Sequence, residues 1–141
     1  MSDRKWNLRM SCSYQGGKNS IASCQVEILG DDGAWKPLAI ANDSPGFLIF
    51  VYSLLTCQHM YMYVNAAERG LLLASSQGTM ELVATQGWML TDLRVAFHGQ
   101  LRSGTPSEAD IADIEKRMNQ CPVSRNIHTS GVHETRLTLS A

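Results

Sequence analysis

A chain of 141 residues has room for one α+β domain and too little length for two full ones. With 44% hydrophobic residues, 18% charged residues and a net charge of −1, it carries no basic run, so neither nucleic acid nor an anionic membrane surface is an expected partner. Its four cysteines, Cys12, Cys24, Cys57 and Cys121, are far apart, with no CxxC and no zinc-finger spacing.

The opening residues, Met1 to Lys5, are polar and run straight into a strand pattern. No export signal is expected from them, and the chain is read as cytoplasmic, where structural disulfides are not expected. Trp6, Leu8, Met10, Cys12 and Tyr14 alternate with polar residues, which predicts a half-buried strand. After a turn at Gly16-Gly17-Lys18-Asn19, a second strand puts Ala22, Cys24, Val26 and Ile28 on one face. Asp31-Asp32-Gly33 turns the chain into a shorter third strand, Trp35 to Ile40, whose Pro37 marks an edge.

From Ser44 to Ala67 no residue is charged. A bilayer span needs about 20 such residues, but the strongly apolar part is only Phe47 to Leu55, and Thr56, Gln58, His59 and Asn65 follow it. The segment predicts one long central helix, Ser44–Arg69, apolar on every side and buried in a core. Pro45 suits its first turn, Gly70 its C-terminal cap and Arg69 its negative end. Leu71–Thr85 and Trp88–Leu101 read as an antiparallel pair turning at Gln86-Gly87. Thr105-Pro106-Ser107-Glu108 reads as a capping box that starts a helix carrying Ile111, Ile114 and Met118 on one face. Cys121-Pro122 opens a short helix, Val123 to His128. Gly131 then precedes a last strand with Leu137 and Leu139 on one face.

Cys121, immediately before a proline at a helix start, meets unpaired backbone N–H groups that favour a thiolate. Cys57 lies about three turns into the long helix. Cys12 and Cys24 fall nearly opposite each other across the first hairpin and read as core filler. A metal site at Cys57, His59 and Met60 is not expected, because Cys57 and His59 point about 200° apart on a helix. No cofactor is implied.

The meander, the cysteine-bearing helix in Leu54-Leu55-Thr56-Cys57, its end in Ala66-Ala67-Glu68-Arg69-Gly70, and Cys121-Pro122-Val123-Ser124-Arg125 together resemble the OsmC and organic hydroperoxide resistance (Ohr) proteins. The resemblance runs from about Trp6 to Leu139 as a single domain spanning residues 1–141. It implies an OsmC-like α+β fold, with antiparallel sheets around the central helix, in an intertwined homodimer with sites at the subunit interface. It also implies that Cys57 attacks a small hydrophobic hydroperoxide, that Cys121 resolves the sulfenic acid to a disulfide, and that a dithiol reductant restores both.

Two departures bear on that mechanism. Where the family has a glutamate after a proline, this chain reads Pro45-Gly46-Phe47, and no arginine occurs from Met10 through Glu68. Lys18 falls where the hydroperoxide-resistance branch carries its arginine, although a lysine lacks the guanidinium fork. Lys18 and Arg125 are therefore the candidate cations for the Cys57 thiolate, with Lys18 ranked first. Phe50, Leu54, Met60 and Tyr61 are the expected walls of the substrate pocket. The leading function is a thiol peroxidase. The alternative is a binding or redox-sensing module that has lost the family's arginine and glutamate.

Overall fold

A computed structural model describes residues 3–127 and 132–141. Strand β1 (Arg4–Gln15) buries Leu8, Met10, Cys12 and Tyr14 and leaves Arg9 and Ser11 in solvent, as its alternation requires. It pairs antiparallel with β2 (Ser20–Leu29), through a turn in which Gly16 and Asn19 take positive φ of 74° and 53°. Asn19 is fully buried there. Its amide donates to the carbonyls of Tyr63 and Leu71 and its oxygen accepts from Leu73 N–H, so the hairpin tip is tied to the next two elements. The third strand, β3, keeps only Trp35–Pro37 and lies at the sheet edge.

Helix α1 spans Gly46–Glu68, with Pro45 as its N-cap residue. Gly70, at φ +70°, closes it in a Schellman motif: Gly70 N–H donates to Ala67 and Leu71 N–H to Ala66. The helix is long and apolar enough to cross a bilayer, but it packs on the sheet with Val51, Leu54, Leu55, Met62 and Ala66 buried. Burial on every side does not hold within the chain. Ile49, Met60 and Val64 stay exposed on the outer face, because the chain provides one sheet and not two.

β4 (Leu72–Ala84) and β5 (Leu90–Ser103) form the second antiparallel pair. Helix α2 (Glu108–Asn119) is capped two residues later than the sequence suggests. Ser107 accepts from Asp110 N–H and Asp110 accepts from Ser107 N–H, so the box closes on Ser107 and not on Thr105. The crossover through α2 returns β6 (Val132–Ser140) parallel to β5, as a strand–helix–strand connection allows. The result is one six-stranded sheet of order β3-β2-β1-β4-β5-β6. His128 and Gly131, which the sequence places at the end of the short helix and the following break, lie outside the described residues.

One row of the inner sheet face runs Val26, Met10, Gly78, Phe97, Leu137 across five strands. Gly78 is required there. A Cβ on it would stand 2.4 Å from the Phe97 ring, which is 2% exposed and stacks on His59 at 5.6 Å. Gly78→Ala is expected to cost about 1–3 kcal/mol through this overpacking, read as a lower urea midpoint at unchanged slope.

Candidate functional site

Cys57 and Cys121 come together. α1 carries Cys57 at the border between its buried and its exposed side, half-buried, while Cys121 is fully buried. The Cys121 thiol and the Val123 backbone stand near enough to the Cys57 thiol to shift it, the first upward and the second downward. Ser124 N–H donates to the Cys121 sulfur at 3.4 Å, and the Cys121 thiol donates to Ser124 Oγ at 3.1 Å, but the N-cap of the short helix is Val123, two residues later than the sequence suggests. The regular helix beyond it is only a 3-10 turn, Ser124–Asn126.

Gln58 holds this loop. It is fully buried, donates to Ser124 Oγ at 3.0 Å and accepts from Thr135 Oγ1 at 3.0 Å. The residue after Cys57 thus ties the segment that carries Cys121 to Thr135 on β6. Sequence reasoning passed over it, although an amide on the buried side of an apolar helix needs a partner and so marks a contact.

The cavity beside Cys57 has a volume of about 520 Å³. It is lined from α1 by Ser53, Thr56 and Met60, from the hairpin by Met10, Ile21 and Cys24, and at its end by Val123. Of the four expected pocket walls, only Met60 lines it. Taking Cys57 as zero, at 100° per residue, Ser53, Thr56, Met60 and Tyr63 fall within about 120° on one side, whereas Phe50, Leu54 and Tyr61 fall on the other. Leu54 goes into the core. Tyr61 faces a groove toward Arg117, and Phe50 faces one beside Trp88. The expected walls lie on the opposite side of Cys57 from the cavity, Met60 excepted.

Among the described residues, none that lines this cavity is a lysine or an arginine. Lys18 is exposed at the hairpin tip. Arg125 is exposed although Cys121 is buried, so the two do not share a face: at three residues per turn, four positions advance by about 120°. Burial first, and then the hydrogen bond with Cys121, pushes the Cys57 thiol up to about 11. Behind the cavity stands a buried polar chain, with Tyr14 Oη 2.6 Å from both His59 Nε2 and Ser76 Oγ. Burial lowers His59 to about 4, so the imidazole is neutral, and raises Tyr14 to about 12.

Cys12 and Cys24 correct another expectation. They are not core filler but a disulfide, with Cα atoms 4.1 Å apart in directly paired positions of β1 and β2. Cys12 is buried, but Cys24 is exposed, because none of the described residues covers this part of β2.

No protein-family model and no curated protein matches the chain. Solved structures do. An OsmC-like hydroperoxide resistance protein from Jannaschia sp. CCS1 matches with a TM-score of 0.56 at 16% identity, over 87% of this chain and 86% of that one. An OsmC-like protein from Mycoplasma pneumoniae matches with a TM-score of 0.55 at 12% identity, over 83% and 89%. A putative osmotic stress induced and detoxification response protein from Psychrobacter arcticus 273-4 matches with a TM-score of 0.53 at 12% identity, over 92% and 93%. A mixed six-stranded sheet crossed by one long helix is, in this chain, the OsmC-like fold.

Proposed function

We propose that the protein is a two-cysteine peroxidase that reduces small hydrophobic hydroperoxides and is restored by a dithiol reductant. The observation that supports this most is the nearness of the buried Cys121 thiol to Cys57, which itself lines a largely apolar cavity. Cys57, as thiolate, attacks the peroxide oxygen; the O–O bond breaks, an S–O bond forms, and the alkoxide takes a proton and leaves as the alcohol. Cys121 sulfur then attacks the sulfenic sulfur and water leaves, which gives the disulfide. A dithiol supplies two electrons and two protons to return both thiols. Met60 and Ile21, both exposed at the cavity rim, suit an alkyl or aryl substrate.

The thiolate needs a cation. Within one protomer the Cys57 thiol stands near 11, where its reactive fraction at neutral pH is small. In a homodimer, Lys18 of a second copy supplies the charge from its exposed hairpin tip; Arg125 is the second candidate. The raised thiol favours the other reading, a binding or redox-sensing module, if no such cation arrives.

The pH profile of hydroperoxide reduction separates the two readings. For the peroxidase, the rate levels off near or below about pH 8, and Lys18→Ala moves that point up toward 11 and slows the reaction at pH 7 at least tenfold, about 1.4 kcal/mol. Lys18→Arg keeps the rate. A wild-type rate that climbs about tenfold per pH unit without levelling off, and no faster than a free thiol at pH 7, assigns the module instead.

A further inference from the structure

The hairpin disulfide has no part in that cycle, yet one of its cysteines faces the same cavity. Cys24 lines the space that Cys57 lines, with Ile21 beside it and Met60 opposite, and it is exposed. Cys12, its directly paired neighbour, is buried at 5% and is bonded to it. Cys121 is fully buried and does not line the cavity, so an oxidised Cys57–Cys121 bond offers an incoming thiol only its half-buried Cys57 sulfur. Within the chain, Cys24 is the more exposed of the two sulfurs. Exposed disulfides are also the ones that exchange readily.

We propose that Cys12 and Cys24 are a second redox pair of this site, a relay that passes electrons from an external dithiol to the Cys57–Cys121 disulfide. The proposal rests on the peroxidase reading for the flux through it, but not for the exchange itself. In the reduced hairpin, the Cys24 thiolate attacks Cys57 sulfur, an S–S bond forms between them, and Cys121 leaves and takes a proton. Cys12 thiolate then attacks Cys24 sulfur, closes the hairpin disulfide, and releases Cys57 as a thiol. The pair on the hairpin loses two electrons and two protons, and the pair on α1 and its loop gains them. An external dithiol reopens Cys12–Cys24 by the same exchange at the exposed sulfur. Direct pairing matters: once Cys24 is bound to Cys57, the resolving thiol is already beside it.

Trapping tests the contact without relying on peroxide chemistry. The full-length Cys12→Ser/Cys121→Ser variant is oxidised with diamide, digested without reduction, and mapped by mass spectrometry. The relay requires a peptide pair linked through Cys24 and Cys57 as the main product. If Cys24 and Cys57 stay free, or link only to other molecules, the proposal is overturned whatever the enzyme does. The kinetic arm uses Cys12→Ser, which removes the resolving thiol while Cys24 stays in the cavity. With a protein dithiol as reductant, its steady-state hydroperoxide turnover should fall at least tenfold. An unchanged turnover in that variant overturns the relay and leaves the peroxidase standing. A wild type inert to hydroperoxide removes the peroxidase reading, and the diamide map still decides the relay.

Discussion

Cys57→Ser should stop hydroperoxide consumption. The reaction needs a sulfur nucleophile that can carry oxygen, and a serine hydroxyl at the same place is neither ionised nor oxidisable near neutral pH. The expected loss is at least about a thousandfold, roughly 4 kcal/mol of transition-state stabilisation. Because Cys57 is half-buried at the edge of a cavity, the exchange of sulfur for oxygen should move the unfolding free energy by no more than about 1 kcal/mol. Activity and stability are thereby separable. Stopped-flow mixing with cumene hydroperoxide gives the first and urea unfolding the second. Cys121→Ser is the informative companion, since its first turnover survives while Cys57 advances to the sulfinic acid, visible as a 32-dalton gain at one peptide. A Cys57→Ser variant that still consumed hydroperoxide at the wild-type rate would end the peroxidase reading.

The second large effect is on stability in acid. His59 is 3% exposed, with its ring stacked on Phe97 and its Nε2 hydrogen-bonded to Tyr14, and burial lowers it from 6.5 to about 4. The unfolded chain binds a proton at His59 once pH drops below 6.5, whereas the folded chain does so only near 4. Stability from this residue is therefore fully present above pH 6.5 and is lost as pH falls toward 4. The gap corresponds to about 3 kcal/mol. Carboxylates also titrate in this range, so the reading is a difference between proteins. Between pH 7 and pH 4, His59→Phe should gain about 3 kcal/mol relative to wild type in urea-midpoint experiments, with Tyr14 still bonded to Ser76. If the two proteins lose stability in parallel, His59 is not a neutral buried imidazole.

Legibility in the sequence followed the range of the interactions. The alternation of Trp6 to Tyr14 and the Gly70 cap are local patterns, and both are found in place. The Cys57–Cys121 contact was reached through the resemblance, not through spacing. Where the reading went wrong, the deciding contact lay across the fold. Phe50, Leu54 and Tyr61 were assigned to the pocket from helical neighbourhood alone, but the hairpin approaches α1 from the other side of Cys57. The capping box was placed at Thr105 because Glu108 stands three residues on, whereas the hydrogen bonds close it between Ser107 and Asp110. The disulfide was excluded by compartment, an argument about surroundings that says nothing of two cysteines in register.

The register of β1 and β2 sets a timetable as well as a geometry. A chain made from its N-terminus at about 5–20 residues per second brings its early segments out first. Cys12 and Cys24 are 12 residues apart in one hairpin and can meet before α1 exists. Cys57 must wait for the 3-10 turn at Ser124–Asn126, and Gln58, which steadies that turn, for Thr135 on the last strand. Closing the longer loop costs about 1.5 kcal/mol more chain entropy. While it is being synthesised, then, the protein carries Cys57 with its later companion absent and the hairpin sulfurs as the earlier-made company. The order of translation favours the hairpin bond first, and a thiol already occupied in that bond is one fewer to capture Cys57 by mistake.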